Sequence, residues 1–215
     1  MNKNTQTVFI VDDDASFLAT MSRWLRAFGY TVESFTSAAD FLAHRTMEAT
    51  GCVVADLEMP GIDGMALQAA LAQSDNPLPI VFLTGHGDIP TSVQAMRSGA
   101  EDFLLKTASK EELLSAIERA LTRDLYEHET RRRQHELAQR FAKLTPRENE
   151  VLSHVLQGQL NKQIAADLGI DERSVKRHRS SVMAKLDVKS VVELTQIFDE
   201  VQNHNAMPIL NDALV

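Results

Sequence analysis

A single cysteine, Cys52, leaves the 215-residue chain without an internal disulfide. Its place in the apolar run Cys52-Val53-Val54-Ala55 reads as that of a small buried hydrophobe. No apolar run approaches the roughly 18 residues that a membrane-spanning helix needs. The opening MNKNTQTVFIVDDD sets three acids directly after a short apolar run and offers no cleavage site, so no secretory signal is read there. A cytoplasmic protein with no membrane partner is the expectation. No internal repeat is found, and no Cys or His residues are spaced to bind zinc around His178. Net positive charge is also lacking: the formal net charge is −8. That excludes a chain that binds nucleic acid along its whole length.

The charge is unevenly spread. Residues 1–120 hold 8 Lys+Arg against 16 Asp+Glu, whereas 172–185 hold five basic residues (Arg173, Lys176, Arg177, Arg179, Lys185) against Glu172 alone. One short segment therefore carries the character that the whole chain lacks.

The first 120 residues alternate short apolar runs with helical patterns. Val8–Val11, Val32–Phe35, Cys52–Ala55, Ile80–Leu83 and Phe103–Leu105 read as strands. Phe17, Leu18, Met21, Trp24, Leu25 and Phe28 lie on one face of a first helix, and 38–45, 64–72, 90–98 and 110–121 read as four more. Five such repeats predict a parallel sheet covered on both faces, an α/β doubly wound fold with ligands at the carboxyl ends of the strands. The second half reads as helices only: 146–157, 161–168, 172–185 and 190–200. Ser109-x-x-Glu112, Thr145-Pro146-Arg147-Glu148 and Ser190-x-x-Glu193 fit the capping box, Gly169 marks a helix end, and Asp171 caps the next helix. The expected domains are 1–121, a linker helix over 122–142 centred on Arg131-Arg132-Arg133, a helical domain over 143–202 and a frayed tail over 203–215. Leu137, Phe141 and Leu144 are expected to pack on the helical domain.

In the predicted sheet, Asp12-Asp13-Asp14 end strand one, Asp56 ends strand three, Thr84 ends strand four and Lys106 ends strand five. All reach the same edge. Crowded carboxylates repel and call for a divalent cation. Oxygen donors with room for water and phosphate suit Mg²⁺, beside which one Asp can attack phosphorus. Taken singly, these residues say little: Asp14 is simplest as the N-cap of the first helix, and a lone Asp at a strand end is usually just solvated. The combination carries the signal.

Residues 6–120 resemble the receiver domain of two-component response regulators. Asp12 and Asp13, Asp56 in Asp56-Leu57-Glu58-Met59-Pro60-Gly61-Ile62-Asp63-Gly64, Thr84 in Thr84-Gly85-His86-Gly87, and Lys106 three residues after Phe103 carry the likeness. The resemblance implies a flavodoxin-like sheet, phosphorylation of Asp56 by a sensor histidine kinase, and Mg²⁺ held by Asp12 through water, Asp13, Asp56 and the Glu58 carbonyl. It also implies that Lys106 contacts the phosphoryl group and that Thr84 and Phe103 form a switch pair. One position departs from the pattern: Thr107 stands where receivers carry proline after the lysine, usually with a cis peptide. A cis bond to a non-proline residue costs about 2.5–4 kcal/mol, so a trans bond is expected, and the reach of Lys106 becomes a question for the structure.

The second half resembles the helix-turn-helix of the LuxR/FixJ (NarL/FixJ) class, through Leu144-Thr145-Pro146-Arg147-Glu148, Asn161-Lys162-Gln163-Ile164-Ala165 and Ser174-Val175-Lys176-Arg177-His178-Arg179. An isolated basic helix is more often solvated surface. Here the short turn and the inward Val175 favour DNA. The resemblance implies promoter DNA as partner, RNA polymerase as a further one, and a homodimer on phosphorylation. Lys176, Arg177 and Ser180 fall at base edges, Lys162, Arg173 and Arg179 at phosphates, and the last helix, with Val191, Val192, Leu194 and Ile197, at a dimer contact. The chain is thus read as a DNA-binding regulator and not an enzyme. A haloacid-dehalogenase-type phosphatase, using Asp12-x-Asp14-x-Ser16, leaves Asp56 unexplained. A receiver that is never phosphorylated has only Thr107 in its favour.

Overall fold

The computed structural model describes residues 6–46 and 48–202. The expected tail over 203–215 lies outside them. The chain divides into two compact units between His128 and Glu129.

In the first unit five strands form one wholly parallel sheet: β1 Thr7–Val11, β2 Thr31–Phe35, β3 Gly51–Ala55, β4 Ile80–Thr84 and β5 Asp102–Leu105, in the order β2-β1-β3-β4-β5. Each strand is followed by a helix: α1 Ala15–Ala27, α2 Ala38–His44, α3 Gly64–Ala72, α4 Ile89–Arg97 and α5 Lys110–Phe141. Central β3 and β4 are buried along their whole length, which is why their runs carry no polar alternation. Side chains alternate faces. Val8, Ile10, Cys52, Val54, Val81 and Leu83 meet Leu18 and Leu25 of α1 and Leu113, Ala116, Ile117 and Ala120 of α5. Phe9, Val11, Val53, Ala55, Ile80 and Phe82 meet Phe41, Leu67, Leu71 and Ala95 of α2, α3 and α4. Cys52 is fully buried, and that burial pushes its thiol well above the usual range, so it stays an inert hydrophobe.

The caps fall where the side chains dictate. Asp14 Oδ1 accepts from the Ser16 and Phe17 N–H groups at 2.8 and 3.1 Å, starting α1. Ser109 and Glu112 exchange hydrogen bonds ahead of α5. The segment over 122–142, expected as a linker helix, is helical to Phe141 as part of α5. The apolar residues of α5 serve the first unit up to Leu121, and a polar middle carries Arg123–Glu127 and Arg132–Glu136 pairs one turn apart. In the same stretch the buried Asp124 accepts from the Gly51 N–H at 2.8 Å and from Gln6 Nε2 at 3.1 Å.

The second unit is helical among the described residues. It comprises the last turns of α5, α6 Pro146–Leu156, α7 Asn161–Leu168, α8 Glu172–Leu186 and α9 Val191–Gln202. Leu137, Phe141 and Leu144 join Val151, Leu152, Ile164, Val175, Val182, Leu186 and Leu194 in its core. Gly169 ends α7 with φ 63°, and Asp171 caps α8 through the Ser174 N–H. The Thr145–Glu148 capping box is complete. At α9 only half a box forms: Ser190 Oγ accepts from the Glu193 N–H, while the Glu193 carboxylate turns to the Lys189 N–H.

Glu148 does more than cap. It is 5% exposed and accepts from the Thr145 N–H (2.7 Å), Ser181 Oγ (2.6 Å) and Lys185 Nζ (2.6 Å), pinning α8 to the start of α6. Burial works against its charge, but Lys185, Ser181 and Thr145 outweigh it and hold the carboxyl at about 2, below the ordinary 4.5. A lowered folded-state value means that this stabilisation is full above pH 4.5 and fades as the pH falls toward 2. Glu148→Gln is expected to destabilise the helical unit at pH 7 by about 1–3 kcal/mol. In thermal melts of the full chain the gap to wild type should narrow below pH 4.5; parallel curves down to the acid limit would contradict this account.

Candidate functional site

The sheet's carboxyl edge brings the predicted acidic residues together. Asp12 follows β1 and Asp56 follows β3, and these strands are hydrogen-bonded neighbours in parallel register. Asp12 is 1% and Asp56 7% exposed, whereas Asp13 faces solvent. Carboxylate oxygens of the three lie within 4.8 Å of one another, so a single cation can be shared among them. Burial pushes the Asp12 carboxyl above the usual carboxylate range, and Lys106 offsets this only in part.

Lys106 answers the charge. Its ammonium lies 2.6 Å from Asp12 Oδ2 and 2.7 Å from Asp56 Oδ2. Burial disfavours this cation, but the two carboxylates hold its pKa above the ordinary value. There is no cis peptide among the described residues, so the Lys106–Thr107 bond is trans and the side chain still reaches both acids. On the other oxygen, Asp56 Oδ1 accepts from the Leu57 N–H at 2.6 Å and the Glu58 N–H at 3.3 Å. The loop closes tightly because residue 64 is glycine. A Cβ there would lie 2.5 Å from the Asp56 carbonyl oxygen and 2.9 Å from Leu57 Cα. Beside Asp13 a depression of about 510 Å³ opens between Glu58, Met59, Met65 and Thr91.

Thr84 is buried at the end of β4, and its hydroxyl is engaged by the loop that follows. The hydroxyl donates to the His86 carbonyl at 3.0 Å. Phe103 is half-buried, its ring 6.0 Å from that of Phe82 and lying against Gly87, where a Cβ would come within 2.8 Å. The Asp14 carboxylate caps α1, while its backbone N–H donates to Asp12 Oδ1 at 3.0 Å. Phe17, read from the sequence only as one of an apolar stripe, lies under Lys106: the ammonium is 4.4 Å from its ring centroid. The one available signal was its place on the first turn of α1, beside the acidic edge.

In the second unit Arg173, Lys176, Arg177 and Ser180 of α8 and Lys162 of α7 are exposed. Lys162, Lys176 and Ser180 line a concavity of about 920 Å³. Val175, Val182 and Leu186 form the buried stripe of α8. Arg179 differs from the other basic residues: it is partly buried and its guanidinium donates to Asn161 Oδ1 at 2.8 Å, tying α8 to α7. Lys189, not singled out in the sequence, joins the same concavity together with Leu160. His178 is partly buried on α8, and the group of possible metal ligands found among the described residues lies elsewhere, at Asp12, Asp13 and Asp56.

Residues 8–118 match the family model described as "Response regulator receiver domain", and residues 142–198 match that of "Bacterial regulatory proteins, luxR family". The chain is a response regulator. Over 203 residues it is 38% identical to the response regulator protein TodT of Pseudomonas putida, covering 94% of this chain and 89% of TodT. It is 35% identical over 190 residues to the transcriptional regulatory protein FixJ of Bradyrhizobium diazoefficiens, covering 88% and 93%. Among solved structures, the response regulator StyR is similar with a TM-score of 0.83 and 45% identity over 91% of this chain and 99% of its own. Full-length FixJ from B. japonicum is similar with a TM-score of 0.55 and 33% identity over 92% and 98%. This response regulator therefore joins a receiver to a LuxR-type DNA-binding domain, and its relatives are transcriptional regulators rather than enzymes, which removes the phosphatase reading. Among the described residues no helix is long and apolar enough to cross a membrane.

Proposed function

We propose that Asp56 accepts a phosphoryl group from a sensor histidine kinase and that the phosphorylated chain dimerises and binds promoter DNA to regulate transcription. The observation that carries this reading is the meeting of Asp12, Asp13, Asp56 and Lys106 at one sheet edge. An Asp56 carboxylate oxygen forms a bond to phosphorus as the bond from phosphorus to the donor nitrogen breaks, and the departing imidazole takes the bonding pair. Asp12, Asp13, Asp56 and the Glu58 carbonyl are the groups that would hold Mg²⁺. The three carboxylates offer oxygens within 4.8 Å of one another, and two oxygens on opposite sides of one such ion are roughly 4 Å apart. When bound, the ion neutralises charge on the transferring group. Lys106 supplies a second positive charge, and the depression beside Asp13 gives a donor side chain room to enter.

Thr84 is the reporting residue in this scheme. To donate to a phosphoryl oxygen its hydroxyl must release the His86 carbonyl, which loosens the loop that Gly87 rests on Phe103. The surface that would feel this carries exposed Ile89, Val93 and Met96 on α4 and Leu105 at the end of β5. An apolar patch of this kind supports a two-fold contact between copies. RNA polymerase is a further partner by analogy with transcriptional regulators as a class. On DNA, α8 lies in the major groove, with Lys176, Arg177 and Ser180 at base edges and Lys162 and Arg173 at phosphates. Arg179 is assigned to phosphate too, and its bond to Asn161 fixes where its guanidinium can point.

Acetyl phosphate with Mg²⁺ should add one phosphoryl group to the wild type by intact mass and none to Asp56→Asn; equal labelling of the variant would refute the assignment. Sedimentation of the phosphorylated chain at tens of micromolar should show dimer, against monomer for the free form, and an unchanged monomer would rule out phosphorylation-driven pairing. In titrations on operator and scrambled duplexes, Arg177→Ala should weaken the specific site by about 1–3 kcal/mol while sparing random DNA. Arg173→Ala should weaken both alike and reduce the salt slope by about one counterion. Equal losses on both duplexes for Arg177→Ala would overturn its base-reading role.

A further inference from the structure

β5 is an edge strand, and its terminal lysine has to act two and three strands away. Lys106 leaves the sheet next to β4, yet its ammonium sits between Asp56 after β3 and Asp12 after β1. At about 4.8 Å per strand those strand axes lie roughly 10–14 Å from that of β5, a gap that the lysine's full reach closes only together with the aspartate side chains. A lysine stem has four rotatable bonds and large rotamer freedom, so a single ammonium placed at the end of that reach needs a second constraint. Backbone supplies little of it. Thr107 is exposed, the Lys106–Thr107 peptide is trans, and the strand itself is fixed at this point by the Lys106 N–H donating to the Thr84 carbonyl at 2.7 Å.

What meets the ammonium from below is an aromatic face. Phe17 stands on the first turn of α1, partly buried against the core on that side of the sheet, with the Lys106 nitrogen 4.4 Å from its centroid. This is inside the roughly 6 Å within which a ring face attracts a cation. The first turn of α1 is in turn fixed by Asp14, whose carboxylate accepts from the Phe17 N–H at 3.1 Å. The ring is thus held by the same acidic loop that provides Asp12.

We propose that Phe17 is a positioning residue: its ring face holds the Lys106 ammonium over the pocket, and keeps it there when a divalent cation takes over Asp12. The two carboxylates alone cannot do this, because the oxygens that hold Lys106 are the ones a cation would claim. The ring bears no formal charge, is no ligand for Mg²⁺, and so remains available to the lysine throughout. This rests on the reading that Lys106 contacts the phosphoryl group, but the contact itself can be observed without phosphorylation.

The experiment uses the full chain with lysine labelled at the ε-methylene, the Lys106 signal being assigned with Lys106→Arg. An aromatic ring at this distance shifts that signal upfield. The shift should be present in wild type and in Phe17→Tyr, absent in Phe17→Leu and Phe17→Met, and should persist in wild type at saturating Mg²⁺. In parallel, labelling of Asp56 by acetyl phosphate should run about three- to tenfold slower in Phe17→Leu, the range a partly exposed cation–π contact supports, and near the wild-type rate in Phe17→Tyr. Thermal melts of each variant confirm that the fold is kept, with Phe17→Met standing in should Phe17→Leu not fold. Loss of the upfield shift on adding Mg²⁺, or a Phe17→Leu rate within twofold of wild type, would overturn the proposal. A wild type that shows the shift but takes no phosphoryl group would instead defeat the phosphorylation reading and leave the ring contact standing.

Discussion

Negative charge crowded into one place is the constraint on which the first unit depends. A parallel sheet delivers every strand's carboxyl end to the same edge, and here two adjacent strands deliver aspartates. The lysine brought from the far edge strand is the counterweight to Asp12 and Asp56. Its ammonium satisfies the charge but competes with any cation for the same oxygens. The pairing is close enough for the fold to tolerate burial of Asp12 and Asp56.

The helical unit solves the opposite problem. Basic residues on α8 must face outward without a permanent counter-ion, so the stabilising ion pair is placed on the other side of the same helix. Lys185 and Ser181 reach inward to Glu148 while Arg173, Lys176 and Arg177 stay exposed. One helix thus separates paired charge from exposed charge by rotation alone, the separation that its 3.6-residue period allows. Arg179 sits between the two roles, since its tie to Asn161 costs it freedom while setting its direction.

Most of this was legible because periodicity and strand-end position are one-dimensional properties. Val8 to Val11 and the buried stripe of Val175, Val182 and Leu186 are visible in spacing. The acidic edge follows once the strands are known to be parallel, since strand-end residues must then converge. What stayed hidden involves contacts between side chains far apart in sequence whose types are individually commonplace. Phe17 beneath Lys106 and Asn161 beside Arg179 are of this kind. So is the orientation of Thr84, where residue type and position were both readable but the rotamer was set by the loop that follows. Glu148 was legible as a cap. Its second partner on α8 was not, because a capping carboxylate has a spare oxygen whose destination depends on packing.

The buried Asp124 bears on how such regulators are cut and recombined. It lies beyond residue 121, where the helical pattern of the receiver fades, and beyond the 8–118 span shared with other receivers. Yet its carboxylate accepts the Gly51 N–H at the root of β3 and the Gln6 side chain next to β1. Gly51 cannot supply a substitute partner, since with φ 142° and the Thr7 backbone against it the residue admits no side chain. A receiver excised at the edge of its family signature would thus expose a main-chain donor at the floor of its own sheet. Grafting this receiver onto a different output module calls for a splice downstream of Asp124, inside a helix and away from any loop.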